Sequence, residues 1–504
     1  MVLNPVNPYQ AELRPSPASV QMTEKQDELF PARRWRIFSV VASGVFLSTM
    51  DSSMVNIALP FIMETFHSPL PQVEWVVMAY LLTITATLLI WGYLGDRLGR
   101  RRIYASGLLV FAVGALGCSL APRLSWLIGA RFLQAMGAAC MMATGPAIIR
   151  QTFPPEKLGR ALGMIGIAVS AGLMTGPIAG GILIDLYSWR ALFLFALPIA
   201  LLAFLFSCFV IPATTDSSIN HRLDWLGGAS WTAALVLLSL AVTHLGAGSW
   251  PKSVTGLLGL AGVIFLLFFF LLEKRISFPL LPLPLFKESF YWKAVLCAVF
   301  SFFVLFSVLM LMPFYLGRIR GLSASLIGLT MLSIPITALG VAPVAGTLSD
   351  RIGHRFLTSF GLLLGSTGAC CLALLDAGSQ FLSVALILAL IGGGQAMFLS
   401  PNSSSLLGRV PVRFAAASAA LLATARNLGM LLGIAVTGLV FSLSYHRLTG
   451  GLDVRDYDIS HQDAFLSAMR HSFLLAAGIG LIAAVLAWSR KEQKISQPLR
   501  QSDR

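Results

Sequence analysis

The feature that most restricts this chain is repetition: apolar runs of roughly 20 residues, each closed by a short polar break. Such a run spans a bilayer core as a helix, and only structures that satisfy their own backbone hydrogen bonds survive there. The runs fall at about 37 to 62, 73 to 93, 103 to 121, 125 to 149, 161 to 184, 191 to 212, 225 to 245, 253 to 272, 292 to 315, 325 to 347, 356 to 375, 381 to 400, 412 to 442 and 472 to 489. About fourteen spans are therefore expected in an all-α integral membrane protein. Charged residues make up only 12% of the chain, against about 25% in soluble domains, which excludes a soluble enzyme.

The net charge of +14 does not point to nucleic acid, because the basic residues sit in short clusters between the apolar runs. Arg33, Arg34 and Arg36, then Arg97, Arg100, Arg101 and Arg102, then Arg150, Lys157 and Arg160 fall on one side. Lys274, Arg275 and Lys287, then Arg351 and Arg355, then Arg490 and Lys491 join them there. The positive-inside rule makes that side the cytoplasm, with both termini on it and the chain in the plasma (inner) membrane. Arg318, Arg320 and the polar stretch from Ser444 to Arg470 fall on the other side. The first 35 residues lack the short apolar core of a signal peptide and read as a cytoplasmic tail. All six cysteines lie in apolar stretches with no metal-ligand spacing and read as packing residues.

An internal repeat divides the chain. Gly92-Tyr-Leu-Gly-Asp96-Arg97-Leu-Gly99-Arg-Arg101 recurs as Gly346-Thr-Leu-Ser-Asp350-Arg351-Ile-Gly353-His-Arg355, at an offset of 254 residues. Gly172 and Gly176 recur as Gly429 and Gly433 at an offset of 257. Two related six-helix bundles, 36–212 and 291–489, are expected, with a linker of two extra helices at 213–290 and a cytoplasmic tail at 490–504.

Four constellations carry chemistry. The turn containing Gly92, Asp96, Arg97, Gly99 and Arg101, with Asp350 and Arg351 in its second copy, reads either as a topology anchor or as a conformational latch. As a latch, Asp96 pairs across the gap between bundles in one state only. Gly172, Gly176, Pro177, Gly180 and Gly181 give a close, bendable seam, expected to lie between the halves and resist leakage. Asp51 is the carboxylate deep within a span, where a charge costs about 2.5 to 3.5 kcal/mol. Arg131 reaches a similar depth with Gln134 one turn away. A facing Arg131 favours the charged form of Asp51 and desolvation the neutral form, a balance suited to exchanging a proton for a ligand. The alternative is a static ion pair that stabilises the bundle. Arg426 and Asn427 form the other deep polar pair, which binds an anion or caps a backbone carbonyl. With Met54 and Asn56 they are the candidate substrate-cavity residues. Phosphate-loop, metalloprotease and nucleophile-elbow motifs are absent from the sequence.

With these residues in view, the sequence resembles the major facilitator superfamily, specifically its fourteen-helix drug:proton antiporter branch of EmrB/QacA type, from about Trp35 to Trp488. Met50-Asp51-Ser-Ser-Met-Val-Asn56-Ile-Ala-Leu-Pro60 resembles that branch's first-helix motif, and Gly92 to Arg101 the superfamily loop motif. Arg131-Phe-Leu-Gln134-Ala-Met-Gly137 resembles the fourth-helix motif, and Gly172 to Gly181 the antiporter motif. The resemblance implies two six-helix bundles plus two inserted helices, and a proton-coupled exporter of amphipathic, cationic drugs or toxic compounds. Asp51 would be the coupling carboxylate, Arg131 its modulator, and the proton the only coupling ion, without cofactor or metal. A dedicated exporter of an endogenous metabolite or lipid is the alternative, with Arg426 meeting an anionic group. The sequence departs from the family at Ala196-Leu197, where Asn often precedes the Pro-Ile pair. It also lacks the further deep carboxylates of relatives that move divalent cations. Expected partners are a small-molecule substrate and the lipid bilayer, and no residue identifies a periplasmic adaptor.

Overall fold

The computed structural model describes residues 31–212, 225–247, 251–275, 283–410 and 412–490. The expected tails, apart from residues 31–35 and Arg490, and much of the loop sequence within the 213–290 linker lie outside the described residues. The chain runs through α1 (Pro31–Phe66), α2 (Trp75–Leu98), α3 (Arg100–Ser119), α4 (Leu124–Thr152), α5 (Pro155–Leu186) and α6 (Arg190–Val210). Next come α7 (Trp225–Ala247), α8 (Lys252–Glu273), α9 (Ser289–Phe314) and α10, in two segments, Ala324–Met331 and Ser333–Ile352. The series ends with α11 (His354–Leu372), α12 (Phe381–Leu407), α13 (Val412–Leu448) and α14 (Gln462–Trp488). Thirteen of these helices are long and apolar enough to cross a membrane. A fourteenth crosses if the pair Leu70–Leu88 and Ile90–Leu98, bent by 52°, is one span.

Every apolar run forms a helix, but the ends differ. α14 begins at Gln462, ten residues before the expected 472, because Asp463, Arg470 and His471 depress hydropathy without breaking the helical backbone. The exterior of the bundle is apolar, as a lipid-facing surface must be: Leu257, Leu260, Phe268 and Leu271 on α8 are all exposed.

Helices α1–α6 pack on one another, α9–α14 do the same, and α7 pairs with α8 while also touching α2 and α13. The two repeated turns occupy matching places. Gly99 (φ 100°) and Gly353 (φ 94°) reverse the chain in a conformation L side chains rarely adopt, which accounts for glycine at that step of both copies. The last arginine of each turn then ties down the last helix of its own group. Arg101 donates to the Cys208 carbonyl on α6, and Arg355 stacks 4.5 Å over Trp488 on α14.

The two groups join at the end opposite these turns. Asp185 of α5 accepts from the backbone amides of Ala324 (2.9 Å) and Ser325 (2.8 Å), capping the start of α10. Gly181 and Gly328 let α5 and α10 touch backbone to backbone. Beside them, Glu74 at the start of α2 packs against Gly438 of α13.

Candidate functional site

Arg131 and Gln134 are three residues apart on α4 and share one face, which meets Asp51 of α1. Arg131 Nη1 donates to Asp51 Oδ2 at 2.5 Å and Gln134 Nε2 to Asp51 Oδ1 at 2.9 Å, so both carboxylate oxygens are engaged. The same Nη1 reaches Gln134 Oε1 at 2.7 Å, bracing the two donors against each other. Arg131 is 0% exposed and Asp51 3% exposed. Full desolvation strengthens their attraction but makes the loss of either partner costly.

Helix α2 supplies the rest of the socket, and sequence reasoning missed it. Arg131 Nε donates to the Val76 carbonyl at 3.0 Å, and one turn on, the Tyr80 ring lies 4.2 Å from the guanidinium carbon. Tyr80 is fixed in turn by Ser48, one turn before Asp51, through a hydroxyl–hydroxyl contact of 2.9 Å. The ring of Phe193 on α6 closes the far side at 5.7 Å. Arg131 Nη2 has no hydrogen-bond partner, so one donor of a buried cation remains uncommitted. The four-residue spacing of Val76 and Tyr80 was the available signal, hidden among many apolar and aromatic neighbours.

The glycine run holds α1 in this position. Cβ atoms placed at Gly172 and Gly176 would fall 2.8 Å from the Phe46 carbonyl oxygen and 2.6 Å from Ser53 Cβ, and one at Gly180 3.5 Å from Met54. These three glycines, one per turn, therefore pack α5 on α1 within the first group of helices rather than between the halves. Pro177 and Gly181 are the members that reach the other half, at α10.

Other expectations meet a different geometry. Asp96 pairs with Arg100 at 2.7 Å inside its own turn, not across the bundle gap. Arg100 also donates to the Ala147 carbonyl on α4 at 3.3 Å. Arg97 and Arg351 are exposed, nothing lies within 4 Å of a Cβ placed at Gly92, and the side chain of Asp350 is outside the described residues. Met54 is 1% exposed, buried against Gly180 rather than lining an opening. Asn56 is buried; its Nδ2 donates to the Ser52 carbonyl at 3.1 Å and its Oδ1 has no partner. Arg426 is half-buried on α13 with no ion pair among the described residues, beside buried Asn427. Glu74, at the edge of the run expected from 73 to 93, is 2% exposed, another buried carboxylate. No cluster of three or more His, Cys, Asp or Glu among the described residues could hold a metal ion.

An all-helical membrane bundle built from two repeat-related groups, with a buried ion pair in one of them, defines a polytopic transporter fold. The model of the Major Facilitator Superfamily matches residues 41–434, and the chain belongs to that superfamily, a family of transporters and not of enzymes. It is 33% identical over 469 residues to the riboflavin transporter RibZ of Clostridioides difficile (strain 630), covering 92% of this chain and 100% of RibZ. It is 31% identical over 413 residues to the multidrug resistance protein Stp of Mycobacterium tuberculosis (strain CDC 1551 / Oshkosh), covering 81% of this chain and 76% of Stp. Among solved structures, a bacterial homologue of the human lysosomal transporter Spinster, inward-facing and unoccupied, matches with a TM-score of 0.68 at 16% identity. That match covers 91% of this chain and 97% of that chain, and it bears on the fold alone.

Proposed function

We propose that this secondary transporter is a proton-coupled antiporter of the drug:proton branch, exporting amphipathic, cationic compounds by alternating access. The observation that carries the reading is the sealed Asp51–Arg131–Gln134 network. A proton arriving at Asp51 competes with Arg131 for the carboxylate, and losing that pair frees a buried cation that must find other partners. Two states of one carboxylate thereby become two packings of α1 against α2 and α4. Basic clusters assign the end bearing Gly99 and Gly353 to the cytoplasm, with both termini there, and the end bearing Asp185 and Glu74 to the outside. In that assignment the structure is closed outside. The chain divides into bundles at 36–212 and 291–489, with the 213–290 linker between them.

A second reading is favoured by Arg426. A half-buried cation without an ion-pair partner suits an acceptor-rich or anionic substrate better than a cation. Together with the kinship to RibZ it supports export of a flavin-like metabolite.

Reconstituted protein tests both. Substrate-driven proton movement in proteoliposomes is expected with lipophilic cations and absent in Asp51→Asn. Asp51→Asn leaves Arg131 without a counter-charge, at a cost of about 3–5 kcal/mol. The double variant Asp51→Asn/Arg131→Gln, which removes both charges, is therefore the folded control. Full coupled transport in that double variant would overturn the role of Asp51. Riboflavin transport without any response to cations, abolished by Arg426→Gln, would replace the first reading by the second.

A further inference from the structure

The two junctions that close the outer end are related by the internal repeat. At the offset of 257 that relates Gly172 to Gly429, Gly181 corresponds to Gly438; at the offset of 254 that relates the turns, Glu74 corresponds to Gly328. In the α5–α10 junction Gly328 sits against Pro177, with its Cβ direction 2.9 Å from the Pro177 carbonyl carbon and 3.6 Å from Gly181 Cα. That contact is backbone on backbone. In the α2–α13 junction the equivalent of Gly328 is Glu74, and its carboxyl group fills the space a side chain at Gly438 would need, with Oε2 2.5 Å from the Cβ position. One arm of the gate is thus sealed by two glycines and the other by a carboxyl group set into a glycine.

Glu74 is 2% exposed and its Oε1 has no hydrogen-bond partner. The elements packed there are α4, the end of α1, α7 and α13, with the loop after α13 nearby. Helix α4 brings Arg131, which donates to the Val76 carbonyl two residues on and is itself paired with Asp51. The others bring Glu64, His67, His244, Tyr445 and His446 to this end, together with Arg455, which donates to the His67 carbonyl. None of these side chains makes a hydrogen bond or ion pair with the Glu74 carboxyl group. An ionised carboxylate enclosed without a partner costs several kcal/mol, so the closed junction holds the neutral acid. When the halves separate, the same group meets water and can ionise.

We propose that Glu74 is a proton-binding site of the outer gate: as the neutral acid it seals the α2–α13 junction, and on losing its proton it keeps that junction open. The proposal rests on the alternating-access reading with this end outside, and it stands apart from the role of Asp51. Because the group sits in the junction at the end it closes, its proton binds from and returns to that side. It gates without being carried. Acid outside therefore drives the emptied carrier back to its inward-facing form.

The test uses full-length protein in nanodiscs, with spin labels at Tyr187→Cys and Ile459→Cys. These positions are 76% and 78% exposed at the same end, one in each half. The closed form binds one more proton than the open form. The closed-to-open ratio should therefore fall as the pH rises, by up to about tenfold per pH unit. Glu74→Gln, isosteric and permanently neutral, should stay closed with a flat pH response, and Glu74→Asp should restore a response. A flat wild type, or a Glu74→Gln variant that titrates like the wild type, overturns the proposal. The response should survive in Asp51→Asn/Arg131→Gln. If it is lost there yet persists in Glu74→Gln, the gate proposal fails while the Asp51 reading stands. Loss of coupled transport in Glu74→Gln with an unaltered wild-type-like gate titration also overturns it. Unaltered proton-to-substrate stoichiometry in that variant, with the gate response gone, supports it.

Discussion

Gly328→Ala isolates the cost of closing the α5–α10 junction, the proposed outer gate. The added methyl group has nowhere to go, because its Cβ would fall 2.9 Å from the Pro177 carbonyl carbon and closer still to that carbonyl oxygen. These are backbone atoms of a packed helix, which cannot swing aside as a flexible side chain would. Forcing one carbon into a tight contact costs about 1–3 kcal/mol, and the clash exists only while α5 and α10 touch. The whole penalty therefore falls on the closed form, lowering the closed-to-open ratio by about 5- to 150-fold. The labels at Tyr187 and Ile459 read this as a population of longer distances. Transport should slow, because the return to the inward-facing form becomes unfavourable. Gly340→Ala on the same helix, with nothing within 4 Å of its Cβ, should be silent in both measurements. An unchanged distance distribution in Gly328→Ala would refute the backbone contact as the closing surface.

Two further outcomes follow from the geometry. Arg131→Ala strands Asp51 in a dry site and should cost about 3–5 kcal/mol, seen as a lower unfolding temperature in detergent. Adding Asp51→Asn should recover part of that loss; no recovery would mean the pair is not energetically coupled. Asp185→Ala removes two hydrogen bonds to amides at the start of α10. Because Asp185 is exposed, solvent screening keeps the effect near about 1 kcal/mol, a shift of about fivefold toward the open gate by the same labels. A shift as large as that of Gly328→Ala would argue against this division of labour.

Much of the architecture was legible because hydropathy and the positive-inside pattern act along one dimension, and helix spacing adds a second. Asp51 stood out as a charge with no water nearby, and the three-residue step from Arg131 to Gln134 put both on one face. What one dimension conceals is azimuth. The glycine run announces close packing but not against whom, and Gly172, Gly176 and Gly180 turn out to face α1. Asp96 announces a pairing but not its partner, and Arg100, four residues on, satisfies it without reaching across the bundle. Glu74 follows Pro71 and Gln72 at the margin of an apolar run, where a carboxylate ordinarily sits among lipid headgroups. Only the arrival of α13, distant in the chain, makes that margin an interior.

The contact between α5 and α1 has a mechanical meaning. Glycines at one-turn intervals remove the side-chain cushion that lets neighbouring helices slide, so α1 and α5 are locked in register as one stiff plank. One end of that plank carries Asp185 and touches the other half; near its middle sits Asp51. A charge change at the carboxylate that tilts the plank by a small angle is delivered at the far end with a longer throw. On this lever, a bulky substitution at Gly176 would leave both the ion pair and the gate chemically intact and disconnect one from the other.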